Sequence, residues 1–339
     1  MKILVTGGAG FIGSHTVVEL DKAGFEPVIV DNLYNSNPGV LEGIKKITGK
    51  DFPFYEIDCN DSEKVRALFD KEKFDGIIHF AAYKAVGESV EKPLNYYENN
   101  LISLLVLLRA AQEFKVPNFV FSSSCTVYGQ PDAIPVTENT PRKPANSPYG
   151  NTKAIGEDII RDYVHAKSGV KAISLRYFNP IGAHESSLIG ELPNGVPSNL
   201  VPFITQTAAG LRSSLTVFGS DYDTVDGTCI RDFIHVVDLA KAHVKALELL
   251  QEQTDADYYD VFNVGTGEGY TVLELINTFE EVNGVKLNYT IGPRRAGDVE
   301  KIYAQSDKVN NVMKWHAEKT MADALKDAWN WQLKITTQQ

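Results

Sequence analysis

An α/β fold built on a doubly wound parallel sheet, with a smaller mixed α/β lobe towards the C-terminus, is predicted by three observations. Short apolar strands alternate with helices through the first half of the chain. The first strand runs straight into a glycine-rich turn that opens a helix. Beyond about residue 178 the alternation gives way to longer irregular runs rich in Gly and Pro. The expected division is therefore 1–178 for the sheet domain and 179–339 for mainly a second, smaller lobe, with some later segments returning to the sheet domain.

Composition narrows the function classes. With 339 residues and 43% hydrophobic content, the chain can bury a sizeable core. A net charge of -11 argues against a broad basic face for nucleic acid, so an anionic ligand needs a local cluster of donors. Cys59, Cys125 and Cys229 form no C-x-x-C pair, and the seven histidines show no paired ligand spacing. No metal is expected, and a reducing, cytoplasmic location is. No apolar run approaches the roughly 20 residues of a membrane span, and the chain enters a strand directly, so no signal peptide is expected.

Lys2 to Val5 is the first strand, and Gly7, Gly10 and Gly13 follow it. That spacing allows a tight turn, close approach to a pyrophosphate and close packing of the next helix on the sheet. The helix carries Thr16, Val17 and Leu20 and ends near Gly24. Glu26 to Val30 is the second strand, closed by Asp31, 18 residues after Gly13. An acid at that point accepts from a ribose hydroxyl and repels a 2′-phosphate. Together these features predict a Rossmann-type site for NAD rather than NADP.

The alternation continues. Phe54 to Ile57 ends in Asp58, Ser62 to Lys71 makes a helix, and the strand Gly76 to Phe80 opens into Ala81 and Lys84. Ligands of such sheets lie beyond the C-terminal ends of the strands, where Asp58, Phe80, Ala81 and Lys84 fall. Pro93 starts a long helix whose stretch Leu101 to Leu108 is apolar nearly all round. It is expected to face the sheet on one side and a partner subunit on another, in a homodimer using the 93–115 and 149–167 helices. Asn118 to Phe121 then leads into the hydroxyl-rich segment Ser122 to Gly129, in which Cys125 is expected only to pack.

Ser147 reads as an N-cap and Pro148 as the first helical residue. Tyr149 then lies in the first turn, with Lys153 one turn later on the same face. A free tyrosine titrates near pH ~10, so a phenolate base at neutral pH needs a shift of roughly 3 units, about 4 kcal/mol. An adjacent ammonium and the positive helix end push in that direction.

The Gly7/Gly10/Gly13 fingerprint, Ser124 and the Tyr149/Lys153 pair resemble the extended short-chain dehydrogenase/reductase family. The resemblance implies Tyr149 as acid/base, Lys153 holding the nicotinamide ribose and lowering the tyrosine pKa, and Ser124 bonding the reacting oxygen. It further implies that Phe11, Ile12, Asn32, Asn99, Ser122, Tyr177 and Phe178 lie by the dinucleotide.

The second half narrows the resemblance. After the strand Lys171 to Leu175, the run Arg176 to Ala183 leaves the sheet; Asn199 precedes a helix, and Leu215 to Phe218 reads as a strand. The acidic loop Asp221 to Asp232 is not an EF-hand, because Val225 and Asp226 stand where an oxygen ligand and a glycine are needed. His235 is expected to be structural. Arg231, and Arg295 within the run Pro293 to Asp298, are candidates to clamp a diphosphate. Across nearly the whole chain these runs resemble the UDP-sugar 4-epimerase branch of the family. Asn179, Asn199, Leu200, Thr216, Phe218, Arg231, Val272, Arg295 and Asp298 match its nucleotide-sugar positions, and Phe233 stands where an aromatic meets the uridine. The implied activity is NAD-dependent interconversion of UDP-glucose and UDP-galactose through a 4-keto intermediate, with the NAD kept bound and no further C-terminal domain. Ile302 replaces a gate residue of the sugar pocket, which leaves N-acetylated UDP-hexoses open as substrates. A 4,6-dehydratase is the rival enzyme, and a non-catalytic NAD sensor the rival of another class. Cys125 and Thr126 after Ser124 supply no carboxylate for dehydration, and a sensor often lacks the Tyr/Lys pair.

Overall fold

Successive side chains of the first strand, Lys2–Thr6, enter different cores: Ile3 and Val5 on one face, Leu4 on the other. A strand buried on both faces requires helices on both, and that is the arrangement seen in this computed structural model, which describes residues 1–295 and 298–337. Ala296 and Gly297, within the Pro293 to Asp298 run, lie outside the described residues.

The central sheet has seven strands, all paired in parallel. Its order is Tyr259–Val264, Lys171–Tyr177, Asn118–Ser122, Gly76–His79, Lys2–Thr6, Glu26–Asp31, Phe54–Glu56. The helices Phe11–Lys22 and Val236–Glu252 pack together on one face. On the other face Pro93–Glu113 packs between Ser62–Lys71 and Pro148–His165. The seventh strand and the Val236–Glu252 helix come from beyond residue 178, so the sheet domain is not contiguous in sequence.

The helices absent from the sequence reading of the sheet domain include Gly39–Thr48 and Val236–Glu252. The first has a glycine inside it, which lowers helix propensity; a Cβ at Gly43 would run into the Leu188 carbonyl, so close packing demands that glycine. The long 93–113 helix buries one side against the sheet domain and leaves apolar residues on another. Leu104, Leu107 and Leu108 are buried, whereas Ile102 and Leu105 are each 39% exposed and Leu94 is 77% exposed.

The smaller lobe is assembled from short pairs. Asn179–Ile181 continues from the sheet and pairs in parallel with Phe233–His235. Leu215–Phe218 pairs with Tyr289–Gly292, and Ile230–Arg231 lies between Tyr270–Thr271 and Lys301–Ile302. The helices Leu200–Ala208, Val272–Asn283 and Met321–Thr336 close a separate core around Ile204, Leu275, Phe279 and Leu325. Among the described residues no helix is long and apolar enough to cross a membrane.

Candidate active site

A cleft of about 880 Å³ runs along the C-terminal ends of the sheet strands, with one wall made by residues 187–199. At one end stands the glycine turn. Gly7 takes φ +69° and donates its N–H to Val30 O at 2.7 Å, and a Cβ there would lie 2.9 Å from Ala81 N. Gly10 begins the helix with no side-chain cap, so the first helical N–H groups face the cleft uncapped by the chain. A Cβ at Gly13 would meet the Gly7 carbonyl. Phe11 and Ile12 line the same end. This cradle and its donors fit the pyrophosphate of a dinucleotide.

Asp31 is buried, with Oδ1 accepting from Leu33 N at 2.9 Å and Ser36 Oγ at 2.7 Å, and Oδ2 from Ala9 N at 3.1 Å. The carboxylate is thereby held rigidly at the end of its strand. Beside it, Asn32 donates to Asp58 Oδ2 at 3.3 Å, and Asp58 Oδ1 accepts from Asn60 Nδ2 at 2.8 Å. Asn60 also donates to Asn99 Oδ1 at 3.0 Å. Asn60 is absent from the sequence reading, although it follows Asp58 by only two residues. Phe80, Ala81 and Lys84 line the middle of the cleft.

The chemistry-bearing residues converge on its floor. Ser147 caps the Pro148–His165 helix, its Oγ accepting from Gly150 N at 3.1 Å, which places Tyr149 in the first turn. Tyr149 is 9% and Lys153 4% exposed. Lys153 Nζ donates to Ser122 O at 2.6 Å and lies 5.0 Å from the Phe121 ring centre. Ser122 Oγ and the Tyr177 hydroxyl are hydrogen-bonded to each other. Ser124 caps a short 3-10 helix, Cys125–Tyr128, by accepting from Thr126 N at 3.2 Å. Ser122, Ser124, Tyr149, Lys153, Tyr177 and Phe178 all line the one cleft.

Burial is the largest influence on the ionisation of this group. Burial pushes the Tyr149 phenol up, Tyr177 adds to the rise, and the Ser124 hydroxyl only partly opposes it. Lys153 Nζ lies 5.9 Å from the Tyr149 ring centre, and burial lowers its own pKa to about 7. Desolvation is the largest influence on the phenol in the chain by itself. Burial also raises the Cys125 thiol to about 12, so it is no nucleophile.

The substrate candidates fall into two groups. Asn179 and Asn199 line the cleft. Asn199 Nδ2 donates to Glu191 Oε1 at 2.6 Å, and Lys84 Nζ reaches the same oxygen at 3.2 Å. Glu191 was not anticipated, since its partner Lys84 lies 107 residues away. The second group sits on the small lobe. In Leu215–Phe218 the inward residues are Leu215 and Val217, which leaves Thr216 and Phe218 outward. Arg295 lies 5.7 Å from the Phe218 ring centre and donates to Asp298 Oδ1 at 2.7 Å, while Arg231 approaches the same carboxylate at 3.9 Å. Ile302 pairs with Arg231 across the strands and packs beside Cys125 and Phe178, which joins this group to the cleft. Leu200 and Val272 begin their helices against the lobe core, and Phe233, 4% exposed, lies within it. His235 is buried, accepting from Val237 N at 3.0 Å and meeting Asp327 at 3.1 Å.

Residues 3–265 match the model of the NAD dependent epimerase/dehydratase family. The chain belongs to that family. It is 49% identical over 332 residues to a UDP-glucose 4-epimerase of Haemophilus influenzae, an alignment covering 98% of this chain and 97% of that one. The crystal structure of a UDP-glucose 4-epimerase of Stenotrophomonas maltophila, with bound NAD and formylated UDP-arabinopyranose, superposes with a TM-score of 0.96 at 45% identity over 100% of both chains. The Bifidobacterium longum enzyme, in complex with NAD+ and UDP, gives 0.95 at 46% identity over 98% of each.

Proposed function

We propose that this chain is an isomerase that uses bound NAD to interconvert UDP-glucose and UDP-galactose by inverting carbon 4. The observation that carries the reading is one continuous cleft. It holds a glycine cradle at one end, Tyr149, Lys153 and Ser124 on its floor, and Asn179 and Asn199 on its far wall. When bound, NAD supplies a reversible hydride acceptor and, in its oxidised form, a positive charge beside the phenol.

The chain's own residues do the rest. The turn at Gly7, Gly10 and Gly13 and the open helix N–H groups hold the pyrophosphate, and Asp31 accepts from the adenosine ribose. Lys153, steered by Ser122 O, holds the nicotinamide ribose. Tyr149 takes the proton of the sugar 4-hydroxyl and later returns it, with the Ser124 hydroxyl bonding the same oxygen. The sugar passes through a 4-ketone and net redox change is zero. Arg231 and Arg295 grip the diphosphate, which leaves the hexose free to turn over between the two hydride transfers.

Product analysis after incubation with UDP-glucose tests this. UDP-galactose is the expected product; a 4,6-dehydrated sugar or no turnover overturns the reading. UDP-N-acetylglucosamine forms a second arm, since its epimerisation would mean that the space beside Ile302, Cys125 and Phe178 admits an acetamide. Leu94, Ile102 and Leu105, with Val86 and Val90, leave an exposed apolar strip, which we read as the face of a homodimer working in the cytosol. A monomer mass by light scattering removes that part.

A further inference from the structure

Behind the cleft lies a buried polar network that no part of the chemistry uses directly. Glu157 follows Lys153 by one turn and Tyr149 by two in the Pro148–His165 helix. Arg176 grips its carboxylate with two prongs, Nε to Oε1 at 2.8 Å and Nη2 to Oε2 at 2.6 Å. Ser123 Oγ donates to the same Oε1 at 2.6 Å. Arg176 also donates to the Tyr128 hydroxyl at 3.0 Å, which in turn donates to Asn263 Oδ1 at 2.6 Å. None of these five residues is more than 5% exposed.

The placement of the members is informative. Ser123 lies between Ser122, whose carbonyl holds Lys153, and Ser124. Arg176 immediately precedes Tyr177, whose hydroxyl meets Ser122. Glu157 therefore ties three separate elements together, each through the neighbour of a residue on the cleft floor. Stability is a weak reason for such a pair, because desolvating two charges offsets most of their attraction, and apolar residues of like size often serve as well. What apolar residues cannot supply is direction. A planar guanidinium on a carboxylate fixes angle and register together.

We propose that Glu157 and Arg176 are positioning residues for the epimerisation, holding Tyr149 and Lys153 in register with Ser122, Ser124 and Tyr177. This rests on the reading of the cleft floor given above. The test is the double variant Glu157→Leu/Arg176→Met, compared with the unaltered holoenzyme for thermal midpoint, KM and kcat. A midpoint and KM close to the original are expected, with kcat lower by about 100-fold, the scale of a small misplacement at the reacting atoms. A folded double variant with unaltered kcat, or one changed in KM alone, overturns the proposal. If the double variant does not fold, Ser123→Ala decides, because it cuts the link between the network and the 122–124 segment. A fall in kcat of about tenfold at constant KM then supports the role, and an unchanged kcat removes it. Tyr149→Phe is assayed alongside. Turnover in Tyr149→Phe would defeat the reading of the cleft itself, whereas an inactive Tyr149→Phe beside a fully active double variant defeats only the positioning role.

Discussion

The sheet domain and the small lobe present their functional candidates in different ways. In the sheet domain several candidates stand at or just beyond a strand end, Gly7 after Lys2–Thr6, Asp31 ending Glu26–Asp31, Phe80 after Gly76–His79 and Ser124 after Asn118–Ser122, while Tyr149 and Lys153 stand on the Pro148–His165 helix. Parallel pairing brings all those ends to one edge, so a single architectural rule gathers them. In the small lobe the candidates are gathered by pairing between distant short segments. Arg231 is set between Tyr270 and Ile302, and Arg295 is oriented by Asp298 and Phe218. The first arrangement buries its side chains on the cleft floor, and the second leaves Arg295 exposed beside Asp298. The proposed function assigns reaction and binding to different lobes, and that separation can be broken experimentally.

The largest effect is expected on the floor. Tyr149→Phe should fold and retain NAD yet lose turnover by about 10³-fold or more, as befits removal of the acid/base group. Single-turnover assays with UDP-glucose measure it, and substantial residual activity would overturn the role. A smaller effect of another kind is expected in the lobe. Arg231→Met should raise KM about 10- to 100-fold, the scale of a lost charged hydrogen bond, while kcat changes little. A fall in kcat without a change in KM would show that the lobe takes part in the chemistry.

The third test concerns stability and again separates the lobes. His15, His79 and His243, all packed in the sheet domain, are held near pKa 3, 3 and 4 by burial, below the ordinary 6.5. Because the unfolded chain binds these protons first, their contribution is complete above pH 6.5 and is lost as pH falls towards the folded values. The sheet domain should lose roughly 3 kcal/mol between about pH 6.5 and 5.5 from these three groups. Urea midpoints across that range check the sign, and a midpoint that rises on acidification contradicts it.

Much of the cleft floor was legible because its determinants are local. Ser147, Pro148, Tyr149 and Lys153 are contiguous, and helix geometry alone puts the last two on one face. The glycine turn and Asp31 belong to one strand–helix–strand unit, whose order dictates their proximity. Glu157 went unnoticed because its significance depends on Arg176 and Ser123, which other strands deliver. Glu191 was missed for the same reason.

The sequence by itself determined the alternating sheet, the dinucleotide turn and the tyrosine–lysine pair, since each follows from periodicity or from spacing within a few turns. Only the tertiary structure decided which later strand completes the sheet, how Arg231 and Arg295 come to share Asp298, and how deeply Tyr149 and Lys153 are buried. Contacts between distant segments depend on packing, and a pKa depends on how much water that packing removes; neither quantity is written in local spacing.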